Sequence, residues 1–314
     1  MGENMKDIAM KMNKTAVPSK IKERGTDRAF NICIYVFSAL IILVVVYPLV
    51  FVLSASFSSP SEIIRGHVIL WPKGFNLESY KAIISNSRIL KGYANTIFIA
   101  GVGTALNIVM TTMCAYPLSN KKLAGRNFLT IFITFTMFFN AGMIPNYLLM
   151  KDLKLLDSYM VLMLPGAISV YNMLVMRNYF QSSIPGELLE AARMDGCGNL
   201  KTFFVIVLPL SKAIMAVMLI FYVAGHWNAY FSAMMYITDK DKYPLQLVLR
   251  EILIQASSYT EEGLGQGFSV VDASLKEVGI QYATIVVSSI PVMLLYPLMQ
   301  KYFVKGVMIG AVKG

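Results

Sequence analysis

The chain has 314 residues, of which 56% are hydrophobic and only 15% charged, and its mean hydropathy is +0.58. A soluble domain carries about a quarter charged residues, so this composition excludes an ordinary soluble protein and marks an integral membrane protein. The net charge of +10 would suit a nucleic-acid binder only if the cations formed a patch, and they are spread along the chain.

Residues 1–29 form a polar, basic tail with Lys6, Lys11, Lys14, Lys20, Lys22, Arg24 and Arg28. The first apolar run, Phe30 to Leu53, is long enough to span a bilayer. It is longer than the core of a signal peptide, and Ser54-Ala55-Ser56 is a weak cleavage site, so the run reads as a retained first span. Ser54 to Lys91 is mixed and polar. The second span covers Tyr93 to Leu118, with small residues at Ala100, Gly101, Gly103, Thr104 and Ala105 for close helix contact. A basic turn, Asn120 to Asn127, leads to a third span at Phe128 to Met150. Its second half holds Asn140, Gly142, Pro145 and Asn146. The fourth span, Ser158 to Phe180, contains Pro165-Gly166 and Tyr171-Asn172. A fifth follows at Leu210 to Ile237. Then come a polar segment from Thr238 to Gln281 and a sixth span from Tyr282 to Phe303. The expected fold is all-α, with six transmembrane helices and both termini on one side.

Charge decides which side. With the segments assigned alternately, Lys and Arg divide 17 to 11, while Asp and Glu divide 7 to 11. The first side, which holds the termini and the 182–209 stretch, is cytoplasmic by the positive-inside rule. The +10 is a topology signal.

Within 182–209 the residues Glu187, Glu190, Arg193, Asp195 and Lys201 interrupt two apolar runs. Pro185 suits a helix start, with Ser182 and Ser183 as candidate caps. Leu188, Leu189, Ala191 and Ala192 give one apolar face, and Gly196 and Gly198 supply helix stops. A second helix starts near Thr202 and is interrupted by Pro209. A lipid-surface helix is rich in Lys and Arg with bulky anchors. This one has small residues and three acids before Gly196, so it reads as a surface helix held between two membrane spans.

The pattern Glu190-Ala191-Ala192, three residues, Gly196, nine residues, Ile206, one residue, Leu208-Pro209 resembles the EAA loop of permease subunits in ATP-binding-cassette importers. The segments WPKGFNLESYKAII, His226-Trp227-Asn228-Ala229-Tyr230 with Tyr243-Pro244-Leu245-Gln246, and KYFVKGVMIGAVKG are similar to the smaller permease subunit of maltose-type sugar importers. The similarity extends from about Phe30 onward and is closest to the branch that takes up oligosaccharides from larger polysaccharides. The resemblance implies a coupling helix (Glu187, Glu190, Ala191, Ala192, Arg193, Asp195, Gly196, then Ile206, Leu208 and Pro209) that seats in a cytoplasmic ATPase. It implies a second homologous permease, two ATPase subunits that use ATP and Mg, and an extracytoplasmic solute-binding protein. It places the chain as a multi-pass protein in the bacterial cytoplasmic membrane. Glu261, Glu262, Gly263 and Gly265 would suit a mobile loop that meets the binding protein; an ordinary solvated loop is the alternative.

Polar and helix-breaking residues inside spans are costly and mark candidate cavities. Trp227, Asn228 and Tyr230 supply a stacking ring, an amide and a phenol, groups that suit a sugar. Residues 227 and 230 are expected to share a helix face. Asn140, Asn146, Tyr171 and Asn172 fit a path or helix contacts equally well. No cofactor is expected in this chain: no GxxxxGK[ST] phosphate loop occurs, and Cys33, Cys114, Cys197, His67 and His226 form no metal-ligand cluster. No nucleophile–base pair marks an enzyme. The alternative is a secondary transporter driven by an ion gradient, but no mid-span acid or inverted repeat supports it.

Overall fold

The computed structural model describes residues 25–139, 141–262, 278–295, 297 and 300. The chain divides into two compact units, Met1–Phe51 and Val52–Gly314. The described part of the first lies in helix α1, Gly25–Ser56. This helix is apolar on every side, and its most hydropathic stretch is wholly exposed within the chain. Such a helix suits lipid or another protein rather than water.

The second unit is built on α4, Ser87–Ser119. Ahead of it lie two short helices, α2 (Pro60–Ile64) and α3 (Glu78–Ser85). Gly92, Thr96, Ile99, Gly103, Asn107, Thr111, Ala115 and Leu118 recur at helical spacing along α4 and are buried. A small-residue stripe lets neighbouring helices approach closely where apolar burial alone drives little association. Three helices use it: α8 (Val170–Ser183), α11 (Lys212–Asn228) and α13 (Leu245–Glu262). A Cβ at Gly92 would stand 3.2 Å from the Leu245 Cα, and one at Gly103 would stand 2.6 Å from His226 Nε2. Of the small residues expected to serve this contact, Ala100, Gly103 and Thr104 are buried, whereas Gly101 and Ala105 face outward.

Polar groups pin the same contacts. Asn107 donates through Nδ2 to the Gly166 carbonyl at 2.5 Å, and its Oδ1 lies 2.6 Å from His226 Nε2. The amide oxygen can only accept, so His226 carries its proton on Nε2. Thr111 and Tyr222 share a buried hydroxyl–hydroxyl bond of 2.6 Å.

Several expected spans are broken. The third is two helices, α5 (Arg126–Phe138) and α6 (Met143–Asp152), bent by 110°. Gly142 lies at φ 90°, ψ 174°, a conformation almost restricted to glycine. Pro145 sits in the first turn of α6, where its missing N–H costs nothing. The fourth is a short turn, α7 (Met160–Met163), then a break through Pro165-Gly166, then α8. The fifth ends at Asn228 and resumes only as α12 (Phe231–Tyr236).

The segment from Thr238 to Gln281, expected to be polar, contains α13. Its Leu245, Leu247, Val248 and Leu249 are buried. The last described helix is α14, Val278–Leu295. Among the described residues three helices are long and apolar enough to cross a membrane, or five when each bent pair counts as one span. The second bent pair is α10 (Asn199–Leu210) with α11, at 81°.

Candidate functional site

The EAA stretch folds at the C-terminal end of α4. Its helix, α9, spans Gly186–Met194. The cap is Pro185 itself, without a side-chain cap bond; Ser182 and Ser183 belong to the end of α8. At the other end Gly196 N–H bonds the Arg193 carbonyl at 3.0 Å, and Cys197 N–H bonds the Ala192 carbonyl at 2.9 Å. Those two bonds define a Schellman stop, and it needs a left-handed residue at Gly196, whose φ is 74°. Gly198 is no stop. It has φ −65° and caps the start of α10.

One side of α9 is anchored. Ala192 is buried, and Leu189 packs on the core formed by Phe180, Ile184 and Phe203. Outside that contact Leu188 and Ala191 are exposed and Met194 is 88% exposed, as is Leu200 of α10 at 75%. Glu187, Glu190, Arg193 and Asp195 surround this surface and are exposed. Glu190 meets Lys122 at 3.3 Å, an exposed pair of little energetic weight. Between α9 and residues 116–123 lies a cleft of about 380 Å³.

Beyond it, α10 carries a π-turn over Phe203–Val207, in which Leu208 N–H reaches back to the Phe203 carbonyl. Pro209 has no N–H to continue the ladder, and the helix turns by 81° at Ser211. Ile206 and Leu208 are half-buried.

The residues expected along a path are dispersed. Trp227 is 4% exposed, and its indole N–H donates to the Ser288 carbonyl at 3.0 Å. It is a packing residue between α11 and α14. Asn228 is exposed and donates to the Ala224 carbonyl of its own helix. Because α11 ends at Asn228, Tyr230 has left the helix and does not share a face with Trp227, contrary to the helical spacing argument. Tyr230 instead faces α13, where Arg250 lies 5.8 Å from its ring centre. Together they line a groove of about 460 Å³ between α13 and α14. Asn146 is half-buried, Tyr171 exposed and Asn172 buried, on separate helices. Asn140, Gly263 and Gly265 lie outside the described residues. Glu261 and Glu262 close α13, not a loop.

At the N-terminal end of α4 the structure shows a cluster that spacing could not reveal. Asp157, in the left-handed region at φ 56°, accepts the N–H groups of Thr238 (3.0 Å) and Asp239 (2.9 Å) on Oδ1. Lys242 Nζ reaches its Oδ2 at 3.0 Å and its carbonyl at 2.9 Å. The Asp239 N–H, then the Lys242 ammonium, hold the Asp157 carboxyl below its ordinary range, and the same contact raises Lys242. Asn95 donates to the carbonyls of Asp241 and Tyr243 and accepts from Tyr159. Thr96 caps the first turn of α13 by accepting the Leu245 N–H.

A long helix with a small-residue stripe, bent spans and a short helix with exposed apolar residues at one end describe a polytopic membrane protein. Residues 20–309 match the family described as the inner membrane component of binding-protein-dependent transport systems, and the chain belongs to that family. It is 40% identical over 290 residues to the polygalacturonan/rhamnogalacturonan transport system permease protein YtcP of Bacillus subtilis (strain 168), covering 92% of this chain and 99% of that one. Protein LplC of the same organism is 39% identical over 91% of this chain and 96% of its own length. Among solved structures, a chain of a bacterial ABC transporter involved in the import of the acidic polysaccharide alginate superposes with a TM-score of 0.81 at 34% identity, covering 90% of this chain and 99% of that chain.

Proposed function

We propose that this chain is a permease subunit of an ATP-binding-cassette importer and forms half of the translocation path for an oligosaccharide. In this reading it crosses the cytoplasmic membrane six times, with both termini and the EAA loop inside. A second homologous permease supplies the other half of the path. Two ATPase subunits, using ATP and Mg, seat on the EAA loops, and an extracytoplasmic binding protein delivers cargo. The chain itself catalyses no reaction: the free energy comes from its ATPase partners.

The observation that carries this is α9. Ala192 and Leu189 lock it to the core, while Leu188 and Met194, with Leu200 of α10, stay uncovered beside acids. Such a helix can pass a push from a partner into α8, α10 and α4. The sugar-transport names of the relatives and the alginate importer support carbohydrate as cargo. Purification of the tagged chain from its native membrane tests the assembly: an ATPase and a second permease should copurify, and recovery of the chain alone, active in transport, would refute it. Cysteines introduced at Asn199 and Lys122 should label only in permeabilised cells, and one at the exposed Lys81 in intact cells. Outside labelling of the Asn199 site would reverse the orientation.

A further inference from the structure

The groove between α13 and α14 holds a charge that the chain does not neutralise. Arg250 lies over the Tyr230 ring, and no carboxylate approaches its guanidinium within 4 Å among the described residues. Its neighbour Glu251 is paired with Arg88. Arg250 is half-buried at the wall of a groove of about 460 Å³, where a guanidinium without a carboxylate partner can take an anionic occupant. The rest of the lining narrows the chemistry. Gln246 and Gln281 offer amides. The hydroxyls of Thr284 and Ser288 donate to carbonyls of their own helix, Ile280 and Ile285. Their oxygens keep lone pairs free to accept from a ligand hydroxyl. Acceptors for hydroxyl groups, an aromatic ring and one fixed guanidinium fit a sugar unit that bears a carboxylate.

We infer that this groove binds the carboxylate of a uronic-acid unit as cargo passes, so that the imported oligosaccharide is acidic. This rests on the importer reading above. The Arg–carboxylate geometry is bidentate and planar, which lysine reproduces in charge only.

The test uses the complete importer in cells, with labelled trigalacturonate and its carboxyl-reduced, neutral trisaccharide offered separately. The parent should take up trigalacturonate. Arg250→Gln should lower the ratio of acid to neutral uptake tenfold or more, and Arg250→Lys should lower it less than Gln does. A ratio within threefold of the parent for Arg250→Gln overturns the inference. If both cargoes fall together, Arg250 serves folding or meets a carboxylate of the second permease; if neither falls, the guanidinium serves a lipid phosphate or solvent. A parent that imports the neutral trisaccharide but not trigalacturonate overturns the acidic assignment alone. A parent that imports no oligosaccharide overturns the importer reading with it.

Discussion

The two ends of α4 are finished in opposite ways. About 50 Å separates them, from 33 residues at 1.5 Å each. At the N-terminal end, Asp157, Asn95, Thr96, Tyr159 and Lys242 hold segments 64 or more residues apart. At the C-terminal end Arg126 and Gln181 bond the last carbonyls of α4, but beyond them the pair of Lys122 with Glu190 is exposed and a patch of Leu188, Met194 and Leu200 is left open. Exposed apolar surface of this kind marks an interaction site. The contrast fits the importer reading proposed above: one end is complete within the chain and holds the helices in register, and the other is left open for a partner.

The strongest way to break that comparison is to make the open end polar. Leu188→Asp combined with Met194→Asp should reduce the amount of copurifying ATPase tenfold or more, while the thermal stability of the permease changes little, because neither side chain is buried. Unchanged ATPase recovery would mean that the patch faces lipid.

A smaller effect is expected at Gly196. Its φ of 74° is required by the Schellman stop, and a β-branched residue there costs on the order of 1 kcal/mol or more. Gly196→Val should keep the permease in the membrane but lower cargo-stimulated ATP hydrolysis several-fold. Full stimulation would show that the exact end of α9 does not transmit movement.

Asp157→Ala probes the closed end. It removes the acceptor of two backbone N–H groups and puts alanine where aspartate tolerates the left-handed region. A loss of stability on the order of 1–2 kcal/mol should follow, read as a lower melting temperature in detergent, with less loss for Asp157→Asn. Melting at the parent temperature would make this cluster decorative.

How much of this was legible in the sequence follows from the range of each interaction. The stop at Gly196 is local, so its spacing was enough to place it. Gly198 was misassigned because a glycine before a new helix looks like one after an old helix. Helix α13 was missed behind an overall polar composition, although Leu245, Val248, Leu249 and Ile252 recur at helical intervals and Gln246 and Arg250 fall one turn apart on another face. That periodicity would have pointed to the groove. Trp227 and Asp157 were beyond reach, since the partner of the first is 61 residues away and those of the second 81 to 85. No pattern within a single segment encodes them. The same limit explains why Trp227 and Tyr230 were expected on one face: the helix ends between them, and nothing in the composition of that stretch announces the end.

The smallest expected effect is on pH, and it sharpens the contrast because the closed end holds a shifted ion pair. The Asp157 carboxyl titrates below its ordinary value, first because the Asp239 N–H and then because the Lys242 ammonium bond its charged form. A depressed carboxylate contributes stability that is present above the unfolded value, about 3.9, and is lost as pH falls through the lower folded value. Lys242 is raised by the same contact. Its contribution is complete below the unfolded lysine value, about 10.4, and is lost as pH rises through the higher folded one. The two limbs leave a plateau across neutral pH. The melting temperature of the parent should therefore be insensitive to this pair between about pH 5 and pH 9 and decline more steeply in acid than that of Asp157→Asn, which has no carboxyl to protonate. The difference should be a degree or two, since both side chains are solvent-accessible and screened. Parallel acid limbs for the two proteins would show that Thr238 and Asp239 are held by the backbone geometry alone, with the Asp157 charge adding nothing.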